Sequence, residues 1–351
     1  MPDAIKILGA GIAGLTAAIN LAKKGFNATV YEKASTVGKR FCNDFQGIEN
    51  WSDEKDALKI LKEAGIETSF WNKGFNEISV YTDLKKEFIV KDKKNFFYLI
   101  ERGQKNSLDE NLKKQALDAG ARILFNSKAT ENECNIIATG PAGKKQWAIA
   151  KGMVFETDSE DSVTFILNNK LAFKGYAYLL IANKKATLGC VLLKDFSKTN
   201  QCFKNSLQAI KKIKKLKIKN KKPFAGYGTF AINKSNIQNQ KLFVGEAADF
   251  QDSLLGFGTK YAFLSGYLAA KSIAEEKNYD ELWKELLLNK LKASVSNRFI
   301  YEALGDWGYN HFVKQAIASR EPRAWLKKFY SFSLNKKIVY PIAKFTKPIF
   351  K

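Results

Sequence analysis

The stretch KILGAGIAGLTAAINLAKKG, residues 6–25, places three glycines between a short apolar run and a helical pattern. The apolar run over residues 5–8 predicts a buried strand. The apolar residues that follow recur at helical spacing up to Gly25, which predicts a helix closed by a left-handed glycine cap. A second apolar run, residues 28–31, ends at Glu32. The order of strand, glycine turn, helix, strand and acid predicts a βαβ unit that binds a dinucleotide.

Each glycine has a separate physical role in such a turn. Gly9 permits a tight turn, Gly11 lets a diphosphate approach a backbone that has no Cβ, and Gly14 lets the helix pack against the strand. The helix that starts at Ile12 and Ala13 offers free N–H groups and the positive end of its dipole to phosphate. We therefore predict that these five residues contact the cofactor.

Glu32 limits the choice of dinucleotide. A carboxylate at this position can accept hydrogen bonds from the adenosine ribose hydroxyls and repels a 2′-phosphate, which favours FAD or NAD over NADP. We expect Glu32 and the adjacent Lys33 to contact the adenosine half of the cofactor. The alternative is a βαβ unit whose small residues serve packing alone.

A second turn distinguishes FAD from NAD. The segment EKASTVGKRFC, residues 32–42, places Gly38, Lys39 and Arg40 just after the second predicted strand. NAD enzymes have no general need for this turn, whereas many flavoproteins place a glycine and a basic residue beside the far side of the dinucleotide. The sequence therefore predicts FAD as the cofactor.

Residues 239–273, NQKLFVGEAADFQDSLLGFGTKYAFLSGYLAAKSI, resemble the second cofactor motif of the aromatic-hydroxylase-like FAD superfamily. The match holds at the small residues Gly245, Ala247, Ala248, Gly256 and Gly258. Where the family has Asp, Gly and Pro, this chain has Glu246, Asp249 and Ser253. The resemblance implies that Glu246 holds the ribityl chain and that the helix beginning near Thr259 faces the flavin pyrimidine.

Two further segments resemble the same superfamily. Residues 100–130 resemble its Arg-led helix, which starts at Arg102. One face of this helix is predicted to be apolar and comprises Leu108, Leu112, Ala116 and Leu117. Residues 135–148 resemble the strand and turn that follow, with Thr139 in place of the usual Asp and Gly140 next to it. The resemblance implies that Arg102, Thr139 and Gly140 contact the cofactor.

Within the superfamily, two features resemble the archaeal-type geranylgeranyl reductases. The segment VGKRFCNDFQGIENW, residues 37–51, has Cys42 and Gly47 at the positions of that family's cysteine and glycine. The segment FKGYAYLLIANKKATLGCVLL, residues 173–193, resembles its substrate-cavity motif. Its alternating residues share one face of a predicted strand and are expected to line a wall over the flavin; they are Tyr176, Tyr178 and Leu180.

The resemblance implies an FAD-dependent oxidoreductase that saturates C=C bonds of a polyprenyl lipid, such as a geranylgeranyl chain, with hydride from flavin N5. The protein supplies position, electrostatics and water exclusion to such chemistry. Reduction of an isolated alkene also needs a proton, and the catalytic candidate is Cys42 or a water held by it. Ferredoxin and NAD(P)H both stay open as the electron donor, and His311 is interpreted as structural.

Two other functions stay open at this stage. The first is a flavin monooxygenase acting on an aromatic or apolar small molecule. The second is a flavoprotein that binds lipid or a partner without turnover.

The chain is strongly basic, because its 351 residues include 58 Lys and Arg against 35 Asp and Glu, a net charge of +23. Such an excess favours polyanionic partners, although solvated lysines alone could explain it. After Glu321 the chain has no acid, and lysines are interspersed with aromatic residues up to Phe350. This composition suits an anionic membrane surface, so we expect peripheral membrane contact and a hydrophobic isoprenoid or lipid substrate. The same composition would suit single-stranded nucleic acid, but no other feature of the sequence supports nucleic-acid binding.

The cysteines predict neither a zinc site nor a disulfide framework, because none of them forms a CxxC pair. They are Cys42, Cys134, Cys190 and Cys202. We therefore expect no bound metal and a reducing, cytoplasmic environment. No apolar stretch reaches the roughly 18 residues that a membrane-spanning helix needs.

Together these patterns predict an α/β fold with a Rossmann-like FAD-binding domain, a mostly antiparallel β-sheet substrate domain and a helical C-terminal region. The FAD-binding domain is predicted to be discontinuous and to comprise residues 1–50, 96–150 and 234–276. The substrate domain is predicted to comprise residues 51–95 and 151–233. The C-terminal region, rich in basic and aromatic residues, is predicted to span residues 277–351.

Overall fold

The computed structural model describes residues 4–103, 105–141 and 145–346. In chain order the strands are β1 (Ala4–Leu8), β2 (Asn27–Tyr31), β3 (Phe45–Glu49), β4 (Asn72–Phe75), β5 (Glu77–Tyr81), β6 (Glu87–Lys91), β7 (Phe97–Glu101), β8 (Arg122–Leu124), β9 (Ile136–Ile137), β10 (Ala148–Glu156), β11 (Ser162–Ile166), β12 (Tyr176–Ala182), β13 (Lys185–Leu192), β14 (Lys219–Gly228), β15 (Ile237–Gln238) and β16 (Lys241–Phe243). The helices are α1 (Ile12–Lys23), α2 (Ala57–Glu63), α3 (Leu108–Asp118), α4 (Thr199–Lys214), α5 (Thr259–Ala274), α6 (Tyr279–Trp283), α7 (Asn289–Ala318), α8 (Pro322–Tyr330) and α9 (Leu334–Thr346).

The first sheet has six strands in the order β15-β16-β9-β1-β2-β8. Neighbouring strands are parallel except β15 with β16. Helices α1 and α5 pack closely together beside this sheet, since a Cβ on Gly266 of α5 would lie only 2.2 Å from the carbonyl oxygen of Ala13 in α1. Such a close approach of two backbones requires glycine. The first sheet thus has the parallel arrangement that the opening motif predicts.

The second sheet has seven strands in the order β14-β10-β13-β12-β11-β5-β6. Its pairs are antiparallel except β5 with β11. The side chains of β12 alternate between two hydrophobic clusters, one containing Tyr176 and Leu180 and the other containing Leu179 and Ile181. Helix α4 covers the second cluster with residues such as Ile210. The period-2 pattern of β12 therefore places the predicted substrate-facing residues together on one face.

A third, three-stranded sheet has the order β3-β7-β4, and β7 is antiparallel to both neighbours. Gly47 of β3 lies directly beside the Phe97 ring of β7. A Cβ on Gly47 would lie 1.7 Å from Phe97 Cζ. The ring therefore fills the space that a side chain at this position would need.

The C-terminal part of the described chain is helical from α6 onward. A π-helical turn, Lys284–Leu288, joins α6 to α7, and α7 is broken at Gly305, which has φ of 56° and ψ of −149°. Helices α8 and α9 both contact α7. Arg323 of α8 donates hydrogen bonds to the carbonyls of Asp53 at 3.1 Å and Glu54 at 3.2 Å. These bonds attach the C-terminal helices to the loop after β3.

The fold class predicted from the sequence is confirmed in its three parts: the Rossmann-like sheet, the mostly antiparallel sheet and the C-terminal helices. The domain limits are still a prediction. Residues 1–3, 104, 142–144 and 347–351 of the predicted domains, which include Phe350, lie outside the described ranges.

The predicted apolar face of α3 is wrong at Leu117, which is 49% exposed. Leu117 is one position beyond the buried Ala116, and a rotation of about 100° takes its side chain off the buried stripe. In the described ranges, every helix is too short or too polar to traverse a bilayer.

Candidate dinucleotide-binding and active site

The glycine turn between β1 and α1 has a backbone that excludes side chains at two positions. Gly9 has φ of +104°, and a Cβ there would lie 2.4 Å from the carbonyl oxygen of Ala138. A Cβ on Gly14 would lie 2.0 Å from the carbonyl oxygen of Gly9. Both glycines are therefore required by the protein's own packing.

Gly11 has a different role, because a Cβ there would meet no heavy atom of the described chain within 4 Å. Its φ of −82° is open to any residue. Gly11 is the N-cap of α1 and makes no side-chain cap, so the N–H groups of Ile12 and Ala13 lack the partners that interior helix residues have. The open side of Gly11 and these N–H groups suit a phosphate group.

Glu32 follows β2 and faces the glycine turn. Its Oε2 accepts a hydrogen bond from Ala10 N at 2.9 Å, and its Oε1 accepts one from Ala34 N at 2.8 Å. Each carboxylate oxygen has a further lone pair, so the side chain can still accept ribose hydroxyl groups. Lys33 is exposed, and its contact with the cofactor stays a prediction.

Residues from three other parts of the sequence meet beside this turn. A Cβ on Gly245, whose φ is +59°, would lie 3.1 Å from the Cβ of Ala13. Arg40 donates a hydrogen bond to the next residue, Glu246, with 3.4 Å between Nη2 and Oε2. A Cβ on Gly140 would lie 3.7 Å from Arg40 Nη1. The structure thus brings four of the predicted cofactor motifs together, and Thr139 lies half-buried next to Gly140.

Arg40 and Glu246, which form this ion pair, differ in how exposed their side chains are. The side chain of Arg40 is 58% exposed, whereas that of Glu246 is 19% exposed. Burial raises the pKa of Glu246, and the Arg40 guanidinium opposes that rise. Because most of the Arg40 side chain is exposed, its remaining N–H donors can bind a second anionic group such as a diphosphate.

Arg102 is held by groups of the protein itself. Its Nε and Nη2 donate to the two carboxylate oxygens of Asp109 at 2.9 and 2.8 Å. Its guanidinium lies 4.2 Å from the centroid of the Phe41 ring. The buried pair therefore supports the turn that carries Lys39 and Arg40, and direct contact of Arg102 with a cofactor stays a prediction. Lys39 Nζ donates to Ser35 Oγ at 3.0 Å on the surface.

Sequence reasoning missed Gln251, which lies inside the second cofactor motif. Its Nε2 donates to the carbonyl of Gly256 at 2.7 Å, and its Cγ would lie 3.4 Å from a Cβ on Gly258. The Gln251 Oε1 is buried and accepts no hydrogen bond from the described residues. Thr259, buried, begins α5 just beyond this loop. A buried acceptor without a donor indicates a missing hydrogen-bonding group at this motif.

Cys42 lies close to a buried carboxylate that sequence reasoning also missed. Asp44 Oδ1 accepts a hydrogen bond from Cys42 N at 3.2 Å and lies 4.0 Å from Cys42 Sγ. Burial raises the pKa of the Cys42 thiol, and the charge of Asp44 adds to the rise. Burial also raises the pKa of Asp44. The Cys42 thiol is therefore protonated at neutral pH and can hold a proton for transfer.

The predicted substrate strand lies close to this pair. The ring centroids of Tyr176 and Tyr178 are 6.0 Å apart on one face of β12, where Leu180 is also buried. Burial raises the pKa of Tyr178, and the charges of Tyr176 and Asp44 raise it further, with a smaller contribution from Cys42. This face is therefore apolar and aromatic, and Cys42 and Asp44 are within electrostatic range of it. The role of the three residues as substrate contacts stays a prediction.

A buried ion cluster includes Lys260, which lies within the second cofactor motif. Lys260 Nζ lies 2.5 Å from Glu49 Oε1 and 2.8 Å from Asp53 Oδ2, and its side chain is 4% exposed. Lys290 of α7 also pairs with Asp53. The cluster fixes the first turn of α5 to the end of β3. Lys260 adjoins Thr259 in the motif, but its partners are too far away in the sequence for a local pattern to reveal them.

Comparison with known proteins finds matches in the first part of the chain. Residues 7–44, which contain the glycine turn, Glu32 and Arg40, match the family of NAD(P)-binding Rossmann-like domains. A thiamine thiazole synthase from Methanococcus maripaludis is 45% identical over 62 residues. That match covers 18% of this chain and 24% of the synthase, so it spans about a quarter of the curated relative.

Solved structures share the whole fold with this chain. A geranylgeranyl bacteriochlorophyll reductase-like protein from Thermoplasma acidophilum aligns with a TM-score of 0.72 and 18% identity over 99% of this chain and 98% of that chain. The flavin-dependent brominase Bmp2 aligns with a TM-score of 0.63 and 14% identity over 97% of each chain. CtdE, in complex with FAD and a substrate, aligns with a TM-score of 0.59 and 15% identity over 97% of this chain and 99% of that chain. The resemblance to this fold, stated from the sequence, is confirmed.

Proposed function

We propose that the protein is an FAD-dependent oxidoreductase that reduces C=C bonds of a polyprenyl lipid. One observation carries the proposal: the protonated Cys42 thiol lies near the apolar, aromatic face of β12, and its turn borders a cradle suited to a dinucleotide. A proton source beside an apolar wall is what the reduction of an isolated alkene requires of the protein.

The described residues fit FAD in three respects. The open side of Gly11 and the first N–H groups of α1 suit the diphosphate. Glu32 can accept the adenosine ribose hydroxyls, and Glu246 can accept hydroxyls of the ribityl chain. The buried Oε1 of Gln251 could accept a hydrogen bond from a ring N–H of the isoalloxazine. Arg40 would neutralise part of the diphosphate charge.

Bound FAD supplies the redox chemistry, because its reduced ring can donate a hydride to carbon. The second alkene carbon then needs a proton, and Cys42 Sγ holds one. Burial first, and the charge of the neighbouring Asp44 second, raise the thiol pKa and so favour the protonated thiol before transfer. Lys222 and Lys185 act in the opposite direction and lower the thiol pKa, so they stabilise the thiolate that remains after transfer.

The substrate class rests on the chemistry of the β12 face and on charge. Tyr176, Tyr178 and Leu180 belong to one apolar and aromatic cluster, which is the chemistry that a hydrocarbon chain would need for contact. The net charge of +23 favours a substrate with an anionic headgroup. We therefore include a prenyl phosphate or a prenylated phospholipid in the proposal. The electron donor, ferredoxin or NAD(P)H, stays a prediction.

Anaerobic reduction followed by addition of a geranylgeranyl phospholipid tests the proposal. Reoxidation of the flavin absorbance is expected, together with a product that gains two hydrogens for each bond reduced. Cys42→Ala should slow this reaction and retain FAD, while Cys134→Ala, the matched control at a buried cysteine of another cluster, should change neither. A protein that binds no FAD would refute the cofactor, and FAD-loaded protein that the lipid does not reoxidise would refute the substrate alone.

The fold shared with the flavin-dependent brominase supports a second candidate, an oxygenase acting on an aromatic or apolar small molecule. In this case the aromatic face of β12 would stack against the substrate. Substrate-stimulated consumption of NAD(P)H and O₂ would favour it. FAD-loaded protein that shows neither reaction would favour the third possibility, a flavoprotein that binds lipid or a partner without turnover.

A further inference from the structure

Helix α9 packs on the protein through one face and exposes apolar residues on the other. On the inner face, Lys336 Nζ donates to the carbonyls of Lys328 at 3.3 Å and Ser331 at 3.0 Å, and Ala343 is buried. These contacts fix the helix against the end of α8. On the outer face, Leu334 is 76% exposed and Ile338 is 69% exposed.

The exposed residues form a continuous line along the helix. They are Leu334, Ile338, Ile342 and Phe345, with exposed fractions of 76%, 69%, 50% and 90%, and we call them the outer stripe. Their spacing of four, four and three positions keeps them on one side of a helix. Lys336 and Ala343 belong to the opposite side, so the protein covers that side of the helix and leaves the outer stripe exposed.

The outer stripe is not made of the residues that the sequence pattern indicated. Trp325 and Phe329 pack against Phe312 with centroid distances of 5.0 and 4.9 Å, and Tyr330 is buried. The aromatic residues that alternate with lysines in α8 therefore contribute mainly to the core. The residues that reach solvent are aliphatic apart from Phe345, and they lie on the next helix.

Basic side chains flank the outer stripe. Lys337 and Lys344 of α9 and Lys328 at the end of α8 are exposed. The sequence after Glu321 contains eight Lys and Arg residues and no Asp or Glu, and the eight are Arg323, Lys327, Lys328, Lys336, Lys337, Lys344, Lys347 and Lys351. At about 100° per residue, Lys337 and Lys344 both lie along one edge of the outer stripe. An apolar stripe bordered by basic residues is the arrangement of helices that lie in the plane of a membrane interface.

We propose that α9 binds the surface of an anionic lipid bilayer, with the outer stripe buried among the acyl chains near the headgroups and the flanking lysines paired with lipid phosphates. The charge selects this occupant over a second copy of the chain. Two copies of α9 packed through the outer stripe would bring Lys337 and Lys344 close to the same lysines of the partner, and the sequence after Glu321 has no carboxylate to offset them. An anionic bilayer provides both the apolar layer and the opposite charge.

Co-flotation of the full-length protein with vesicles tests this proposal independently of flavin chemistry. We expect binding to vesicles of phosphatidylcholine and phosphatidylglycerol, weaker binding to phosphatidylcholine alone, and weakening by salt. The double variant Leu334→Gln/Ile338→Gln should reduce affinity for the anionic vesicles by at least about tenfold, since each side chain loses apolar burial. The matched control Leu117→Gln/Leu124→Gln replaces exposed leucines elsewhere and should bind like the wild type.

Hydrogen exchange locates the contact and separates it from a general loss of structure. On vesicles, amides of α9 should gain protection while those of α3 do not. Wild-type affinity in the α9 double variant would overturn the proposal. So would a self-association equilibrium that this variant abolishes without any effect on vesicle binding, because the outer stripe would then be the contact between two copies.

Discussion

Arg40 and Glu246 are separated by 206 positions in the chain, and their side chains meet with 3.4 Å between Nη2 and Oε2. Arg40 comes from the turn after β2, and Glu246 comes from the turn before α5. Each was predicted from its own motif to contact the cofactor. Their contact places the two motifs at one location, as a single dinucleotide-binding site requires.

Arg40→Ala is expected to weaken FAD binding by roughly 10- to 100-fold, because a charge-assisted hydrogen bond contributes about 1.5–3 kcal/mol. The fold should be unaffected, since 58% of the Arg40 side chain is exposed. Titration of the apoprotein with FAD, followed by quenching of flavin fluorescence, measures the change. Lys55→Ala, which removes the exposed ion pair with Glu63, is the control. Equal affinity in both variants would mean that Arg40 does not contact the diphosphate.

Gly11→Ala and Gly14→Ala are both expected to impair the protein, the first through FAD binding and the second through folding. A Cβ at residue 11 enters open space, so the variant should fold with a free energy of unfolding within about 1 kcal/mol of the wild type, the cost of alanine at a helix N-cap, and bind FAD poorly. A Cβ at residue 14 would lie 2.0 Å from the carbonyl oxygen of Gly9, so this variant should be destabilised before any cofactor is added. Urea unfolding of the apoproteins and FAD titration separate the two effects.

Gly226→Ala is the control for this pair, because a Cβ there also meets nothing within 4 Å of the described chain and the residue lies on β14. It should alter neither stability nor FAD affinity. Normal FAD binding by Gly11→Ala would show that the open side of Gly11 is not used by the diphosphate.

Local patterns were sufficient to predict the parts of this fold that depend on neighbouring residues. The glycine turn, its strand and helix, and the alternation along β12 follow from backbone geometry and side-chain periodicity, which act over a few positions. Leu117 was wrongly assigned to the buried face of α3, because the directions of successive side chains in a helix differ by about 100°.

The parts that could not be predicted depend on contacts between distant segments. Lys260 is buried only because Glu49 and Asp53 lie beside it, and no local pattern connects these positions. Arg102 was predicted to contact cofactor, and its buried pair with Asp109 emerges only from the folded chain. The aromatic residues of α8 show the same limit, since alternation with lysine does not reveal which side chains the neighbouring helix α7 will cover.

Cys42 should produce an alkaline limit in the pH dependence of turnover. Its thiol pKa is raised, by burial first and by Asp44 second, so the protonated form persists above the pH at which an ordinary thiol ionises. If this proton is transferred to substrate, turnover should fall only above that raised pKa. Asp44→Asn removes the negative charge and should move the limit to lower pH, by less than the whole rise because burial is the larger cause. Single-turnover flavin oxidation measured across the alkaline range gives the profile.

Cys134→Ala is the matched control for that profile, since Cys134 is a buried cysteine in a separate cluster. Its substitution should leave the alkaline limit unchanged. Cys42→Ala should slow turnover and abolish the limit. An unchanged limit in Cys42→Ala would assign the proton to another group.

Lys260→Met is expected to lower the free energy of unfolding at neutral pH by about 3–5 kcal/mol, because it leaves Glu49 buried without its cationic partner and Asp53 with Lys290 as its cationic partner. Lys55→Met removes an exposed partner of Glu63 and should cost about 0–1 kcal/mol. Urea unfolding without added FAD measures both. A loss of the same size in the two variants would mean that the Lys260 cluster contributes no more than a surface pair.

The loss of folding free energy caused by Lys260→Met should also depend on pH, and it should become smaller as the pH falls. Burial is the largest single effect and raises the pKa values of Glu49 and Asp53. The charge and hydrogen bonds of Lys260, together with Ser52 at Glu49 and Lys290 at Asp53, outweigh it, so both pKa values are lowered. A carboxylate with a lowered pKa stabilises the fold above its unfolded pKa of about 4, and this contribution is lost as the pH falls through the folded value. The wild type should therefore lose stability below about pH 4, and the difference from Lys260→Met should shrink there, because in the variant the carboxylates can become neutral. A difference that stays constant from neutral to acid pH would show that packing of the Lys260 side chain, and not its charge, supports the start of α5.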